Sequence, residues 1–137
     1  MIEFTGLNIF AILVAWVVNG LLGTFWYSPA GFGKLWSKLS GVDLMKIPKN
    51  EATRALVLVI ISSLIQTIAL ALVLNAFDLK NIGEGVVVAL VIWLGFTAAT
   101  TVGNTLYQRL SLKFWALNAA FFLVVAIINS IILTAWR

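Results

Sequence analysis

The chain has 137 residues, of which 62% are hydrophobic and 10% charged, whereas about a quarter of the residues of a soluble domain carry charge. Nine Lys and Arg against five Asp and Glu give a formal net charge of +4, and there is no Cys and no His. Those two absences remove disulfides, thiolate chemistry, the commonest metal ligand and the usual general base. The basic surplus sits in short gaps between apolar runs. It therefore reads as a topology signal and not as a nucleic-acid-binding stripe, and no nucleic-acid partner is expected.

Four windows, Phe4 to Gly33, Ala55 to Phe77, Gly85 to Gln108 and Phe114 to Trp136, contain no Asp, Glu, Lys or Arg. Each exceeds the roughly 20 residues that cross about 30 Å of hydrocarbon as a helix. A backbone in lipid must satisfy its own hydrogen bonds, so helices are expected. The composition predicts an all-α, polytopic membrane protein: a single domain over 1–137 with spans near 6–27, 52–77, 85–108 and 114–136. The first run is not expected to be a cleaved signal. It follows Glu3 rather than a basic residue, is too long, and lacks a small-x-small cleavage site.

The first span ends on an aromatic pair, Trp26-Tyr27, and is broken by Ser28-Pro29. Phe32, Leu35, Trp36 and Leu39 then fall at i, i+3, i+4 and i+7, with Lys34 and Lys38 on the opposite face. This predicts a short amphipathic helix near 31–40 lying in the headgroup region, with Lys34 and Lys38 as lipid-headgroup contacts. A solvated loop that happens to hold two Trp is the plainer alternative. Gly41 stops the segment, the stretch to Pro48 reads as irregular, and Asn50 before Glu51 is the expected N-cap of the second span.

Loop charges set the expected orientation. Lys34, Lys38, Lys46, Lys49 and Arg54 in the first loop, with Arg109 and Lys113 in the third, oppose only Lys80 in the second loop and Arg137 at the C-terminus. The positive-inside rule then places loops one and three in the cytoplasm and both termini outside a cell inner membrane. Short connections favour antiparallel neighbours, hence an up-down bundle. Trp16…Tyr27…Lys34…Trp36 is faintly echoed by Trp93…Tyr107…Lys113…Trp115, as a duplicated hairpin would be.

Contacts between spans are expected where small residues allow close approach. Ala11, Ala15, Asn19 and Gly23 form one such face, and Gly95, Ala99 and Gly103 another, for packing within the chain or across an oligomer. Polar residues form stripes: Thr97, Thr101, Asn104 and Gln108 in the third span, and Ser62, Ser63, Gln66 and Thr67 in the second. Asn8 and Asn19, and likewise Asn118 and Asn129, are eleven residues apart, about three turns, so each pair shares a face. Two readings stand. The polar groups hold the bundle together at about 0.6 kcal/mol per bond. Alternatively Asn19, Gln66, Thr97, Thr101, Asn104 and Asn118 line a path for a small solute or lipid headgroup.

No Asp, Glu, Lys, Arg or His lies within any charge-free window, which disfavours proton-coupled pumps, ion relays and voltage sensors. The five acids are scattered over both sides, and Ser28 has neither His nor a Gly-x-Ser-x-Gly context. No enzymatic activity, catalytic residue, metal or cofactor is expected.

Trp26, Tyr27, Ser28, Phe32, Gly33 and Trp36, preceded by Asn8 and Gly23, resemble the interfacial motif of small bacterial four-helix membrane proteins grouped as domain-of-unknown-function family 1761. The resemblance implies about four spans over nearly the whole chain and supplies no activity. The expected function is a non-enzymatic membrane protein acting as a homo-oligomer or with a membrane-protein partner. A small channel or facilitator is the alternative, and lipid binding through the first loop is a third reading.

Overall fold

The computed structural model describes residues 1–137. Four helices are long and apolar enough to cross a membrane: α1 (Ile9–Trp26), α3 (Lys49–Ala76), α4 (Ile82–Tyr107) and α5 (Leu112–Ala135). The short α2 (Gly33–Ser40) lies between α1 and α3. The spans alternate in direction, as the short loops require.

Helix ends follow local chemistry. The Asn8 side chain accepts from the Ala11 N–H at 3.2 Å, and Ser111 and Asn81 cap α5 and α4 in the same manner at 3.1 and 3.0 Å. Gly41, at φ 75°, closes α2 by donating to the Ser37 carbonyl. Arg109 takes the same left-handed conformation, φ 62°, in the turn between α4 and α5, at a cost of roughly 1 kcal/mol in a non-glycine residue. α3 starts at Lys49 with Pro48, not Asn50, as its N-cap. The Pro48 carbonyl accepts the Ala52 N–H at 3.0 Å, so Asn50 lies inside the first turn.

The central element is α5. Seven of its residues are buried, among them Phe121, Val125, Asn129 and Leu133, and α1, α3, α4 and α2 all pack against it. Ala11, Ala15 and Asn19 of α1 are buried as the small-residue face predicts, and a Cβ on Gly23 would rest against Phe121 at 3.4 Å. At the opposite end of the molecule α4 lies close against α5: a Cβ on Gly85 would collide with Thr134 Oγ1.

Tryptophan N–H groups tie the spans together. Trp16 Nε1 on α1 donates to Ser63 Oγ (3.0 Å) and the Ile60 carbonyl (3.2 Å) on α3. Trp93 Nε1 on α4 donates to the Ala119 carbonyl on α5 at 2.9 Å. In each hairpin a mid-span Trp thus reaches a backbone carbonyl of the following span, in keeping with the echo between the two halves. The halves pack differently, however: α1 lies along α5, whereas α3 and α4 touch only sparingly.

α4 also contains a π turn over Leu94–Ala98, where the Ala99 N–H donates to Leu94 O. The extra residue rotates the second half of the helix, which carries Thr97, Thr101, Asn104 and Gln108, relative to the first.

Gly85→Val should force α4 off α5. A loss of about 1–3 kcal/mol is expected for such overpacking, measurable by steric trapping or denaturant unfolding in bilayer discs, whereas Gly95→Val, with nothing within 4 Å of its Cβ, should leave monomer stability unchanged.

Candidate functional site

Two regions gather the singled-out residues: an aromatic corner where α1 meets α2, and a cavity between α3 and α4.

The corner is built from the chain reversal at Pro29. Proline has no N–H and pushes its predecessor out of the helical region, so α1 closes at Tyr27. Ser28 then organises the turn. Its hydroxyl donates to the Phe25 carbonyl at 2.6 Å, and its carbonyl accepts the N–H groups of Gly31 (3.0 Å) and Gly33 (2.9 Å). The returning chain lies so close that a Cβ on Gly33 would strike the carbonyl oxygens of Tyr27 and Ser28. A Cβ on Gly31 would strike those of Phe25 and Trp26. Both obstacles are backbone and cannot move aside.

Aromatic side chains fill the corner. Trp26 packs between Phe32 and Phe121, with ring centroids 4.7 and 5.9 Å away. Tyr27 meets Phe121 edge-on at 5.4 Å, and Trp36 of α2 rests on Phe114 of α5 at 6.1 Å. Each such pair contributes about 0.5–1.5 kcal/mol beyond its burial. The Tyr27 hydroxyl donates to Asn118 Oδ1 at 2.7 Å. All six predicted motif residues, Trp26, Tyr27, Ser28, Phe32, Gly33 and Trp36, therefore meet in one cluster that clamps α1 and α2 onto the start of α5. Leu35 stays 42% exposed on α2, and Lys34 and Lys38 are exposed beside it. Trp26 Nε1 is buried without a hydrogen-bond partner.

The six predicted path residues do not share one place. Asn118 is taken up by Tyr27. Thr101 Oγ1 accepts from Trp115 Nε1 at 3.1 Å. Asn19 is buried on α1 with Nδ2 unpaired, and Asn104 is exposed. Only Gln66 and Thr97 come together, in the wall of a cavity of about 210 Å³. Asn129 of α5 also lines it, 1% exposed and with Oδ1 unpaired. Sequence reasoning placed Asn129 on the face of Asn118 but did not connect it with Gln66, because which span neighbours which is not written in any single helix. The remaining lining is apolar and includes Leu70, Trp93 and Phe122. The cavity holds hydrogen-bonding groups and no titratable one, so it is suited to binding and not to proton transfer.

Residues 10–134 match the family model described as a protein of unknown function, DUF1761. The chain belongs to that family. Neither a curated protein nor a solved structure matches it. In this DUF1761 protein the match runs from the first turn of α1 to the last turn of α5, so it takes in both the corner and the cavity.

Removing the hydroxyl in Tyr27→Phe should cost about 0.6–1.7 kcal/mol, the range of hydrogen bonds between membrane helices. A double-mutant cycle with Asn118→Leu, read from thermal unfolding in detergent, should recover most of that loss as coupling. Gly33→Ala should cost more than either single variant.

Proposed function

We propose that this protein is a non-enzymatic building block of the bacterial inner membrane that works as a homo-oligomer, joined along the second half of α4. The observation that carries this reading is the face of Gly95, Ala99 and Gly103. All three are exposed, and nothing in the protomer lies within 4 Å of a Cβ on either glycine. Asn104, on the same half-helix, is exposed; its carbonyl accepts the Gln108 N–H, but its side-chain amide makes no hydrogen bond within the protomer. Exposed Leu or Val costs nothing in lipid, but an unpaired amide does, and small residues give a neighbouring backbone room to reach it. The first half of α3 supports the same reading, since every residue from Lys49 to Ser62 is exposed. The facilitator reading is weaker, because Thr101 and Asn118 are already engaged by Trp115 and Tyr27.

The proposed orientation has loops one and three in the cytoplasm, with Lys34 and Lys38 of α2 at the lipid headgroups. Trp36 on Phe114 joins α2 to the start of α5 at one end. Arg137, donating to the Phe77 carbonyl at 3.3 Å, marks the other. Seven basic side chains belong to the first end and two to the second.

The chain lacks Cys, so engineered thiols are read without background. Ala99→Cys should cross-link into dimers in native membranes under mild oxidant, and Leu13→Cys on the α1 lipid face should not. Adding Gly103→Leu should lower the cross-linked yield about tenfold. An Ala99→Cys chain that stays monomeric would refute the assembly.

An impermeant maleimide added to intact spheroplasts should label Lys80→Cys and spare Lys38→Cys until the cells are lysed. The reverse pattern would invert the topology.

A further inference from the structure

The cavity between α3 and α4 has a composition that the packing of the bundle does not require. Its lining brings one polar side chain from each of three helices: Gln66 of α3, Thr97 of α4 and Asn129 of α5. None of the three side chains hydrogen-bonds to a protein group. For Thr97 this departs from its neighbours, since the hydroxyls of Thr100, Thr101 and Thr105 each donate to the carbonyl four residues back, at 2.8, 2.6 and 2.8 Å. Thr97 lies in the π turn, where that regular spacing is interrupted. Asn129 is 1% exposed with Oδ1 unpaired, and leaving a buried polar atom unsatisfied is costly in a low-dielectric interior. Three unspent polar groups converging on one apolar hollow are the signature of a small-molecule site.

Place and lining fix the chemistry of the occupant. Gln66 and Thr97 stand near the centres of their charge-free windows, Ala55 to Phe77 and Gly85 to Gln108, so the site lies close to the bilayer mid-plane. Gln66 and Ala69, both exposed, line the cavity, so it opens on the lipid-facing surface between two spans that barely touch. No ionisable residue lines it, and a charged ligand at this depth would be disfavoured by several kcal/mol. A volume of about 210 Å³ exceeds the roughly 150 Å³ apolar cavity known to admit benzene. Trp93 and Phe122 offer aromatic faces to a ring. An amide presents a donor and an acceptor, and a hydroxyl group, which is also both, complements it in either orientation.

We propose that the α3–α4 cavity binds a small, neutral, ring-bearing alcohol or phenol that enters from the bilayer, its ring against Trp93 and Phe122 and its hydroxyl held by Asn129 with Gln66 and Thr97. The site lies within one protomer and does not depend on the assembly proposed above.

The test uses the full chain in bilayer discs, titrated with 4-bromophenol and, as a shape-matched partner lacking the hydroxyl, 4-bromotoluene. Bromine quenches tryptophan fluorescence at short range, and of the six tryptophans Trp93 alone lines the cavity, so its share of the emission supplies the saturable phase, which a Trp93→Phe variant removes. Saturable quenching by the phenol is expected, at concentrations about tenfold below those needed for the toluene. Asn129→Leu should erase that preference. Gln66→Leu, on an exposed position that leaves folding unaffected, should reduce it. Ala69→Phe, which fills the mouth, should abolish the saturable phase for both probes. Linear quenching that is equal for the two probes and unchanged in the variants would mean partition into lipid alone and would overturn the proposal. Saturable quenching equal for both probes and indifferent to Asn129→Leu and Gln66→Leu would overturn it as well, leaving an apolar hollow that accepts any chain.

Discussion

Most of the length of these helices has no access to water, so a polar group on them is satisfied only by another protein group or by a bound molecule. That constraint explains why so few contacts hold the bundle together and why those few are so specific. Lipid removes the hydrophobic reward for bringing helices together. What remains is close backbone approach, as at Ala15 and Gly85, and directed hydrogen bonds. The bonds come largely from indole N–H groups, which carry a single donor on a large apolar body. Trp16, Trp93 and Trp115 each use that donor across a helix pair. The Tyr27 hydroxyl does the same toward Asn118.

The same constraint decides what a sequence of this kind reveals. Hydrocarbon imposes composition, so the spans expected near 6–27, 52–77, 85–108 and 114–136 fall within three residues of the helix ends. The corner was legible because Ser28-Pro29 is a local instruction and the 3.6-residue spacing of Phe32, Trp36 and Leu39 needs no knowledge of neighbours. Asn50 misled because a cap is judged by residue type, whereas the chain enters α3 from Pro48, whose carbonyl starts the ladder. The α4 stripe misled for a subtler reason. Thr97, Thr101 and Asn104 span about two turns, and each has different surroundings: Thr97 lines the cavity, Thr101 accepts from Trp115, and Asn104 is exposed. Neighbour order was also hidden. Nothing in α5 alone says that Asn118 meets α1 while Asn129 lines the α3–α4 cavity.

The two halves share a design and diverge at one joint. Each is a hairpin whose first span carries a mid-depth Trp that donates to the second. If the halves packed alike, α3 would lie along α4 as α1 lies along α5. On α1, Ala11 and Ala15 pack with Leu133 of α5 and with Ala71 and Leu74 of α3, and Gly23 faces Phe121 of α5; such small residues let the helices close. The facing residues of α3 and α4 include Leu70, Val73, Ile92 and Trp93, and these are too large for the same approach.

Trp93 makes that separation a fixed feature of the fold. Its indole is held by the Ala119 carbonyl at 2.9 Å, so it stands against α5 at the depth where α3 and α4 would otherwise meet. Drawing α3 inward would require the ring to move, leaving a buried indole N–H without its acceptor in a medium that offers no water in exchange. The penalty of an orphaned buried donor, about 1–3 kcal/mol, is comparable with what one close helix–helix contact could return. The gap is thus held open from within by a single hydrogen bond. Gln66 and Asn129 line a space that neighbouring side chains cannot collapse.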